Sequence, residues 1–267
     1  MHTVKYNLKI NNFHFQTIFK KKHMKFLAFL ISVSIFIFVI SGCNSKSGGT
    51  TGTAADSLKA GEKAVYSENG KLHYIIESKD GKTNGRVREY TPDGKLYMDA
   101  IYKDDHRNGK CTFYFKNGKP FSVCYFINGE KDSIDTKYNE QGQVLALVPY
   151  KKDKVQPGVK EFAKDGTLIP VNNSLVITAV DHSALEGKYY LKISLSTPRN
   201  DVKYYASPQS NPESRELLKI SGDAGILEVP VSSTSYIMKK LILEAQYKTS
   251  MGNTMRLQRL YNLAIDR

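Results

Sequence analysis

Apolar and turn-forming positions follow two different rhythms along the chain. In the first, five glycines stand 24 residues apart, and an aromatic residue stands four positions before each of them. The glycines are Gly70, Gly94, Gly118, Gly142 and Gly166, and the aromatic residues are Tyr66, Tyr90, Tyr114, Tyr138 and Phe162. Asn or Asp precedes four of these glycines, and such dipeptides favour tight turns with positive φ. Short runs rich in Tyr, Phe, Val and Ile flank the turns, as β-strands would.

This period predicts that residues 61–170 form stacked β-hairpins, each followed by a crossing loop, because a single hairpin is unstable in water. Residues 171–267 have the second rhythm, in which longer runs alternate apolar and polar residues. Residues 189–195 and 241–247 each place four apolar side chains on one face. About seven such runs, separated by turn clusters, predict an immunoglobulin-like antiparallel β-sandwich. The expected fold class is all-β, with a hairpin array followed by a sandwich.

The N-terminal region has the features of an export signal. Lysines precede an apolar run at 26–40, which is short for a transmembrane helix, and small residues follow it. The tetrapeptide Ile40-Ser41-Gly42-Cys43 resembles the lipobox of bacterial lipoproteins. This resemblance implies that residues 1–42 are removed and that Cys43 is acylated and anchors the protein to the membrane. The alternative is an uncleaved N-terminal anchor helix with an incidental cysteine.

Removal of the signal changes the charge of the protein. Residues 1–42 contain six lysines and no acidic residue, so the formal net charge falls from +13 to +7. The remaining charge is spread evenly, which argues against binding of nucleic acid. Residues 43–60 are rich in Ser, Gly, Thr and Ala and are expected to form a flexible linker. The linker lacks the acidic run that resembles a surface-export tag, so the folded domains are expected in the periplasm, anchored to the outer membrane.

The repeat resembles the MORN-type repeat in its variant form. The resemblance rests on the segment Glu89-Tyr90-Thr91-Pro92-Asp93-Gly94-Lys95-Leu96, on Tyr102-Lys103-Asp104, and on Tyr114-Phe115-Lys116-Asn117-Gly118-Lys119-Pro120. It covers about residues 61–170, with departures at Ser133 and Thr167. The family implies a binding or scaffolding role and no particular reaction. Some members are labelled antitoxins, so an immunity protein that neutralises a partner toxin is the alternative to a subunit of an envelope complex.

Candidate catalytic chemistry is sparse. His106 follows Asp104 and Asp105, which could form a cation site but is also typical of a solvated loop. Asp181-His182-Ser183 combines the residue types of a catalytic triad, yet adjacent residues cannot normally form the relay. No phosphate-binding loop, zinc spacing or nucleophile elbow is present in the sequence. The protein is therefore expected to lack enzymatic activity, metal sites and cofactors, whereas a hydrolase would require a buried acid pair or His–acid pair in a cleft.

Binding is expected in the loops between the hairpins, because a rigid scaffold can present variable charged loops to a partner. The loop after the second repeat supplies the candidate binding residues Lys103, Asp104, Asp105 and Arg107. The aromatic residues allow two interpretations, an apolar core or a stacking face for a glycan or peptide. We expect the aromatic residues that keep the 24-residue spacing to lie in the apolar core. Tyr97, Phe121 and Tyr125 are expected on a ligand-binding face.

Cys111 and Cys124 are predicted to form a disulfide bond. If Asn117-Gly118 is a two-residue hairpin loop, the two cysteines face each other at a non-hydrogen-bonded pair, with Cα atoms about 4.5 Å apart. That distance lies within the range of about 4.4–6.8 Å found in disulfides. The alternative is a pair of buried free thiols acting as small apolar residues. It is supported by the residues at equivalent positions in other repeats, which are Val87, Ala100, Val148 and Val159.

Overall fold

A computed structural model describes residues 58–232 and 234–267, and this part of the chain is almost entirely β-structure. The predicted signal, the acylation site at Cys43 and most of the predicted linker lie outside the described residues. Within the described residues, no helix has the length and apolar character needed to cross a bilayer. The all-β fold predicted from the sequence is confirmed.

The first twelve strands form one antiparallel sheet, which we call the array. They are β1 (Glu62–Tyr66), β2 (Leu72–Lys79), β3 (Lys82–Tyr90), β4 (Leu96–Lys103), β5 (His106–Tyr114), β6 (Pro120–Ile127), β7 (Glu130–Lys131), β8 (Ser133–Tyr138), β9 (Val144–Lys151), β10 (Lys154–Val155), β11 (Lys160–Phe162) and β12 (Leu168–Ile169). The sheet order is β1-β2-β3-β4-β5-β6-β8-β9-β11-β12, with β7 on β6 and β10 on β9. Each strand therefore pairs mainly with its neighbours in the chain.

Tight turns close the array along one edge, where crossing loops were expected. Two residues with positive φ form each turn, and strand pairing continues directly outside them, as at Lys103 and His106. This is the geometry of the hairpin turns that match the twist of a β-sheet. The turns are Asp80-Gly81, Asp104-Asp105, Asn128-Gly129 and Lys152-Asp153, and we call this side of the sheet the tight-turn edge. The predicted hairpins are confirmed, but the expected crossing loops are two-residue turns, so the array is a continuous meander.

The glycines of the 24-residue period close the opposite edge, which we call the wide-turn edge. Their φ angles lie between 75° and 91°, as the sequence predicted. Each of these turns is longer than a two-residue loop. In the third, the backbone N–H of Phe115 donates to Lys119 O at 2.8 Å, and that of Gly118 donates to Phe115 O at 3.0 Å. A shift in strand register follows four of these turns, which marks a β-bulge beside each of them.

The bulges decide which aromatic residues enter the core of the array. Tyr97 and Phe121 are skipped in the strand pairing and pack against the buried cluster, with ring centroids 5.8 Å from Phe113. Their expected place on a ligand-binding face was therefore wrong. The centre of the core face is a row of buried residues in register, which are Val87, Ala100, Cys111, Cys124, Asp135, Val148 and Val159. All are small and apolar except Asp135, whose carboxylate accepts hydrogen bonds from Ser122 Oγ and Lys131 Nζ.

The remaining eight strands form two four-stranded sheets, which we call the sandwich. They are β13 (Leu175–His182), β14 (Lys188–Leu195), β15 (Lys203–Pro208), β16 (Glu216–Leu217), β17 (Lys219–Ser221), β18 (Ala224–Pro230), β19 (Tyr236–Lys248) and β20 (Thr254–Asp266). The orders β13-β14-β18-β17 and β16-β15-β19-β20 correspond to an immunoglobulin-like sandwich with eight strands. A short helix, α1 (Ser183–Glu186), connects β13 to β14 and ends at Gly187 in the left-handed conformation.

Apolar residues of both sheets form the sandwich core, including Leu191, Ile193 and Leu243, which have no exposed surface. The alternation at residues 189–195 and 241–247 therefore predicted the inward faces correctly. The predicted boundary at residue 170 falls between β12 and β13. The core nevertheless continues from the sandwich into the last strands of the array through Ala146 and neighbouring valines.

Buried polar contacts reinforce this junction on the core face of the array. Glu161 Oε1 accepts hydrogen bonds from Thr249 Oγ1 and Asn253 Nδ2, both at 2.6 Å. Lys137 Nζ donates to Asn253 Oδ1 at 2.6 Å, and burial lowers the pKa of this lysine. Arg256 Nη1 donates to the carbonyl of Val155 in β10. The sandwich thus covers the core face at the end of the array and leaves the opposite face of the sheet free.

Candidate binding surface

The candidate binding surface is the face of the array that does not pack into the core, which we call the open face. Side chains alternate between the two faces along each strand. Ala100 and Cys124 belong to the core row, so Ile101 and Tyr125 project from the open face.

Asp105 holds neighbouring tight turns together. Its carboxylate Oδ1 accepts a hydrogen bond from the backbone N–H of Thr83 at 2.7 Å, and its own N–H donates to Thr83 O at 3.0 Å. Asp153 makes the same pair of contacts with Lys131, at 2.6 and 2.9 Å. Gly129 lacks a side chain and keeps only the backbone bond, to Arg107 O. The carboxylate of Asp105 is therefore committed to the fold, although the residue is exposed.

Arg107 is also engaged within the array. Its guanidinium carbon lies 4.7 Å from the ring centroid of Phe126, on the core side of the sheet. Burial raises the pKa of the Tyr102 hydroxyl, and the charge of Arg107 and its hydrogen bond to that hydroxyl oppose the rise. Lys103 and Asp104 are exposed, and the nearest charged group to Asp104 is Lys82, 3.8 Å away. Of the four predicted binding residues, these two have side chains directed mainly to solvent.

Exposed apolar side chains gather on the open face beside the tight turns. We call this group the apolar patch, and its members are Ile101, Tyr125, Ile127 and Ile134, each between 41% and 53% exposed. In the first repeat the position equivalent to Ile101 is Glu77, whose carboxylate accepts the backbone N–H of Arg86 at 2.7 Å. The next two repeats have Ile101 and Tyr125 at this position, so the open face is apolar there instead of acidic. The expected exposure of Tyr125 is confirmed.

A shallow pocket of about 410 Å³ lies beside the apolar patch. Its lining combines Tyr125 and Ile127 with the polar residues Asn108, in β5, and Asp132, between β7 and β8. The carboxylate of Asp132 is 3.0 Å from Lys151 Nζ, so charged side chains border the pocket. An apolar centre with aromatic content and a charged rim is the usual composition of a protein–protein interface.

A second set of side chains runs along the wide-turn edge of the open face. We call it the aromatic stripe, and it consists of the register pairs Tyr66–Leu72, Tyr90–Leu96, Tyr114–Pro120, Tyr138–Val144 and Phe162–Leu168. None of the ten residues is fully buried. The expectation that these aromatic residues form the core was therefore wrong. The reason is that the bulges fix which of the neighbouring aromatic side chains turns inward.

An ion pair between β3 and β4 lies between the apolar patch and the aromatic stripe. Arg86 binds Asp99 through two hydrogen bonds, and this pairing raises the pKa of the arginine. Tyr114 stands beside them, and burial followed by the charge of Asp99 raises the pKa of its hydroxyl. On β3 and β4 charged side chains thus lie between the two apolar regions of the open face, whereas Val123, Thr136 and Leu147 occupy the corresponding positions on β6, β8 and β9.

Cys111 and Cys124 face each other as predicted, but both are free thiols, so the expected disulfide is not present. The bond from Phe115 N–H to Lys119 O places the odd-numbered residues of β5 in hydrogen-bonded pairs with β6. Such pairs have Cβ atoms near the far end of about 4.5–5.5 Å, whereas a disulfide requires about 3.5–4.5 Å. The hydrogen bond between the thiols, together with burial, raises the pKa of Cys111.

The candidate chemical groups are dispersed. His106 Nδ1 lies 2.7 Å from the backbone oxygen of Asp104, and His182 Nδ1 lies 3.1 Å from the exposed Glu186. Among residues 58–232 and 234–267, no three or more His, Cys, Asp or Glu residues are grouped closely enough to hold a metal ion. A wider groove of about 890 Å³ opens in the sandwich beside Pro208 and Pro230. Both prolines lack an N–H, which limits strand addition there.

Comparison with known protein families gives one match, which lies in the array. Residues 83–104 and 107–128 match the MORN repeat variant. These segments correspond to β3–β4 and β5–β6, so each matched unit is one hairpin closed by a wide turn. The resemblance found in the sequence is confirmed for these two units. No curated protein matches the chain.

Proposed function

We propose that this protein is a non-catalytic lipoprotein, anchored through acylated Cys43, whose array binds another protein of the cell envelope. In this proposal residues 1–42 are removed, residues 43–60 tether the folded part, and the outer membrane carries the anchor with the domains in the periplasm. The observation that supports binding is the apolar patch beside a pocket with a charged rim. Exposed apolar groups of this kind on a folded domain commonly mark interaction sites.

The proposed interface has a centre and a rim with different roles. Tyr125 and Ile127 would be buried by the partner and supply most of the affinity, since aromatic and large apolar residues at the centre dominate binding energy. Lys103 and Asp104 would lie at the rim, where charge affects the association rate and the choice of partner. Asp105 and Arg107 would act indirectly, by fixing the turns.

The test is site-specific photocrosslinking in membranes that contain the full chain. A photoreactive amino acid at position 125 should crosslink to one dominant protein, and the same group at Leu260 on the sandwich should not. With that protein purified, Tyr125→Ala should weaken binding at least tenfold, and Lys103→Glu about threefold. Equal crosslinking from both positions, or unchanged affinity of the Tyr125 variant, would refute the assigned surface.

The nature of the captured protein separates the two functional classes. A structural envelope protein supports the scaffold role, whereas a toxic enzyme inhibited on binding supports the immunity role. The anchor is tested separately by intact mass of membrane-extracted protein and by Cys43→Ser. Retention of residues 1–42, or a soluble protein without lipid, would exclude the lipoprotein assignment while leaving the binding surface unaffected.

A further inference from the structure

The aromatic stripe lies on the opposite edge of the open face from the apolar patch and has no part in the proposed protein interface. We propose that the stripe binds a linear, uncharged β-1,4-linked glycan, with one disaccharide on each repeat. This would be a second binding site, whose ligand differs in class from the protein partner.

The spacing of the aromatic rungs follows from the sheet. Tyr66, Tyr90, Tyr114 and Tyr138 occupy every second strand along the sheet order β1-β3-β5-β8. Because neighbouring strands are about 4.8 Å apart, successive rungs are separated by about 9.6 Å. A β-1,4-linked chain repeats every two sugars over nearly the same length. Rotation about its glycosidic bonds also allows such a chain to follow the twist of a sheet.

The chemistry of the stripe suits a sugar chain. Tyrosine offers an apolar ring face and a hydroxyl at its edge, which matches the apolar face and peripheral hydroxyls of a pyranose. Aliphatic residues such as Leu96 and Val144 fill the positions between rungs. The wide turns differ in charge, with Asp93 and Lys95 in the second, Lys116 and Lys119 in the third and Glu140 in the fourth, so charge of one sign does not extend along the stripe to favour an ionic ligand.

Hydrogen bonds between neighbouring turns fix the rungs before any ligand arrives. Asn117 Nδ2 donates to Glu140 O at 3.3 Å, and Lys119 Nζ donates to Gln141 O at 3.2 Å. Both bonds connect the third wide turn to the fourth. A surface held in its binding geometry loses less conformational freedom on association, which favours a repetitive ligand.

The test uses β-1,4-linked N-acetylglucosamine oligomers of two, four and six sugars as probes, with calorimetry on the folded protein. Each added disaccharide that reaches a new rung should raise the affinity at least tenfold, because later contacts become intramolecular. Affinity that does not depend on oligomer length, or no binding of the hexamer, would overturn the proposal without using any variant. Neither result bears on the protein interface.

Variants locate the site. Tyr114→Ala at a central rung should lower affinity for the hexamer at least tenfold, and Tyr66→Ala at the exposed end should lower it less. Tyr114→Phe keeps the ring and should bind within threefold of the original protein, which separates stacking from loss of fold. Tyr125→Ala serves as the matched control and should bind normally. Preferential binding of a polyproline peptide, with no glycan binding, would assign the stripe to a different ligand class.

Discussion

The array and the sandwich bury their apolar residues in different ways. In the array, strands pair with their chain neighbours, and one face of a single sheet holds a row of small residues beneath aromatic side chains. In the sandwich, distant segments such as β14 and β18 pair, and two sheets enclose large residues such as Tyr204 and Leu243. The array therefore keeps exposed apolar residues on one face available for ligands, whereas the sandwich uses its inner faces for stability.

This difference predicts where substitutions can be tolerated. Open-face residues of the array can vary without disturbing strand pairing, since the pairing depends on backbone bonds, turns and the core row. The sandwich and the junction depend instead on buried polar groups with several partners each. Four experiments address this contrast.

The largest effect is expected at Glu244, whose side chain is 3% exposed. Its carboxylate accepts hydrogen bonds from Arg215, Arg256 and Gln258. Glu244→Ala should lower the free energy of unfolding by about 3–5 kcal/mol, because two arginines lose a buried partner. Glu228, exposed and paired with Lys188, is the control. Its replacement by alanine should cost less than about 1 kcal/mol in urea titrations. Equal costs would show that the outer face of the sandwich is not held by Glu244.

The next effect concerns the junction. Asn253→Ala removes the hydrogen bond of Lys137 to the β19–β20 turn and one of the two hydrogen bonds of Glu161 to it, the other coming from Thr249, and should cost about 1–3 kcal/mol. Hydrogen exchange should increase in β8, β9 and β11 before it does in β3 and β4. Asn262→Ala, on the same hairpin but exposed, should behave like the unmodified protein. A uniform increase in hydrogen exchange through the array would show that the junction does not specifically stabilise the last strands.

A smaller effect of opposite sign is expected at Ser133, which has a φ of +87° at the repeat position occupied elsewhere by Gly85 and Gly109. Ser133→Gly should raise the free energy of unfolding by about 1 kcal/mol, and with it the melting temperature, because glycine adopts this conformation without strain. The reverse exchange, Gly109→Ser, should destabilise, since a Cβ there would lie 3.2 Å from the Cβ of Ile101. A thermal shift in the same direction for both variants would contradict this explanation.

The smallest effect is an expected absence of change. A reductant should leave the melting temperature unaltered, because Cys111 and Cys124 are free. Alkylation of unfolded protein that was never reduced should label both thiols, as read by mass. Protection of both from labelling would establish the bond that the sequence suggested.

Much of the fold could be predicted from the sequence. The glycine period marks turns that need positive φ, and the two-residue alternation marks strands with one buried face. The positive φ at Gly118 and the inward side of Leu243 follow from these patterns alone. The predicted register of Cys111 and Cys124 was also correct. The type of pair was not, because the turn at Gly118 is longer than two residues and a bulge at Phe121 restores the register beyond it.

The candidate site was less predictable, for the same physical reason. A bulge inserts one residue and moves the following side chains to the other face. Tyr97 and Phe121 therefore point inward, and Tyr90 and Tyr114 remain on the open side. One signal was present in the sequence: His73, Tyr97, Phe121 and Leu145 also stand 24 residues apart. Asp105 resembled a variable binding residue, but its role depends on a contact 22 residues away.

The bonding of each tight turn to its predecessor makes the array adjustable in length. Asp105 contacts only the preceding turn in this way, at Thr83, and Asp153 contacts only Lys131. A whole unit of 24 residues could be duplicated or deleted between two such turns without changing either end. Each unit would move β1 by about 9.6 Å relative to the sandwich. Duplication of one repeat within the gene could thus lengthen the array, and with it the distance from β1 to the sandwich, by a fixed step.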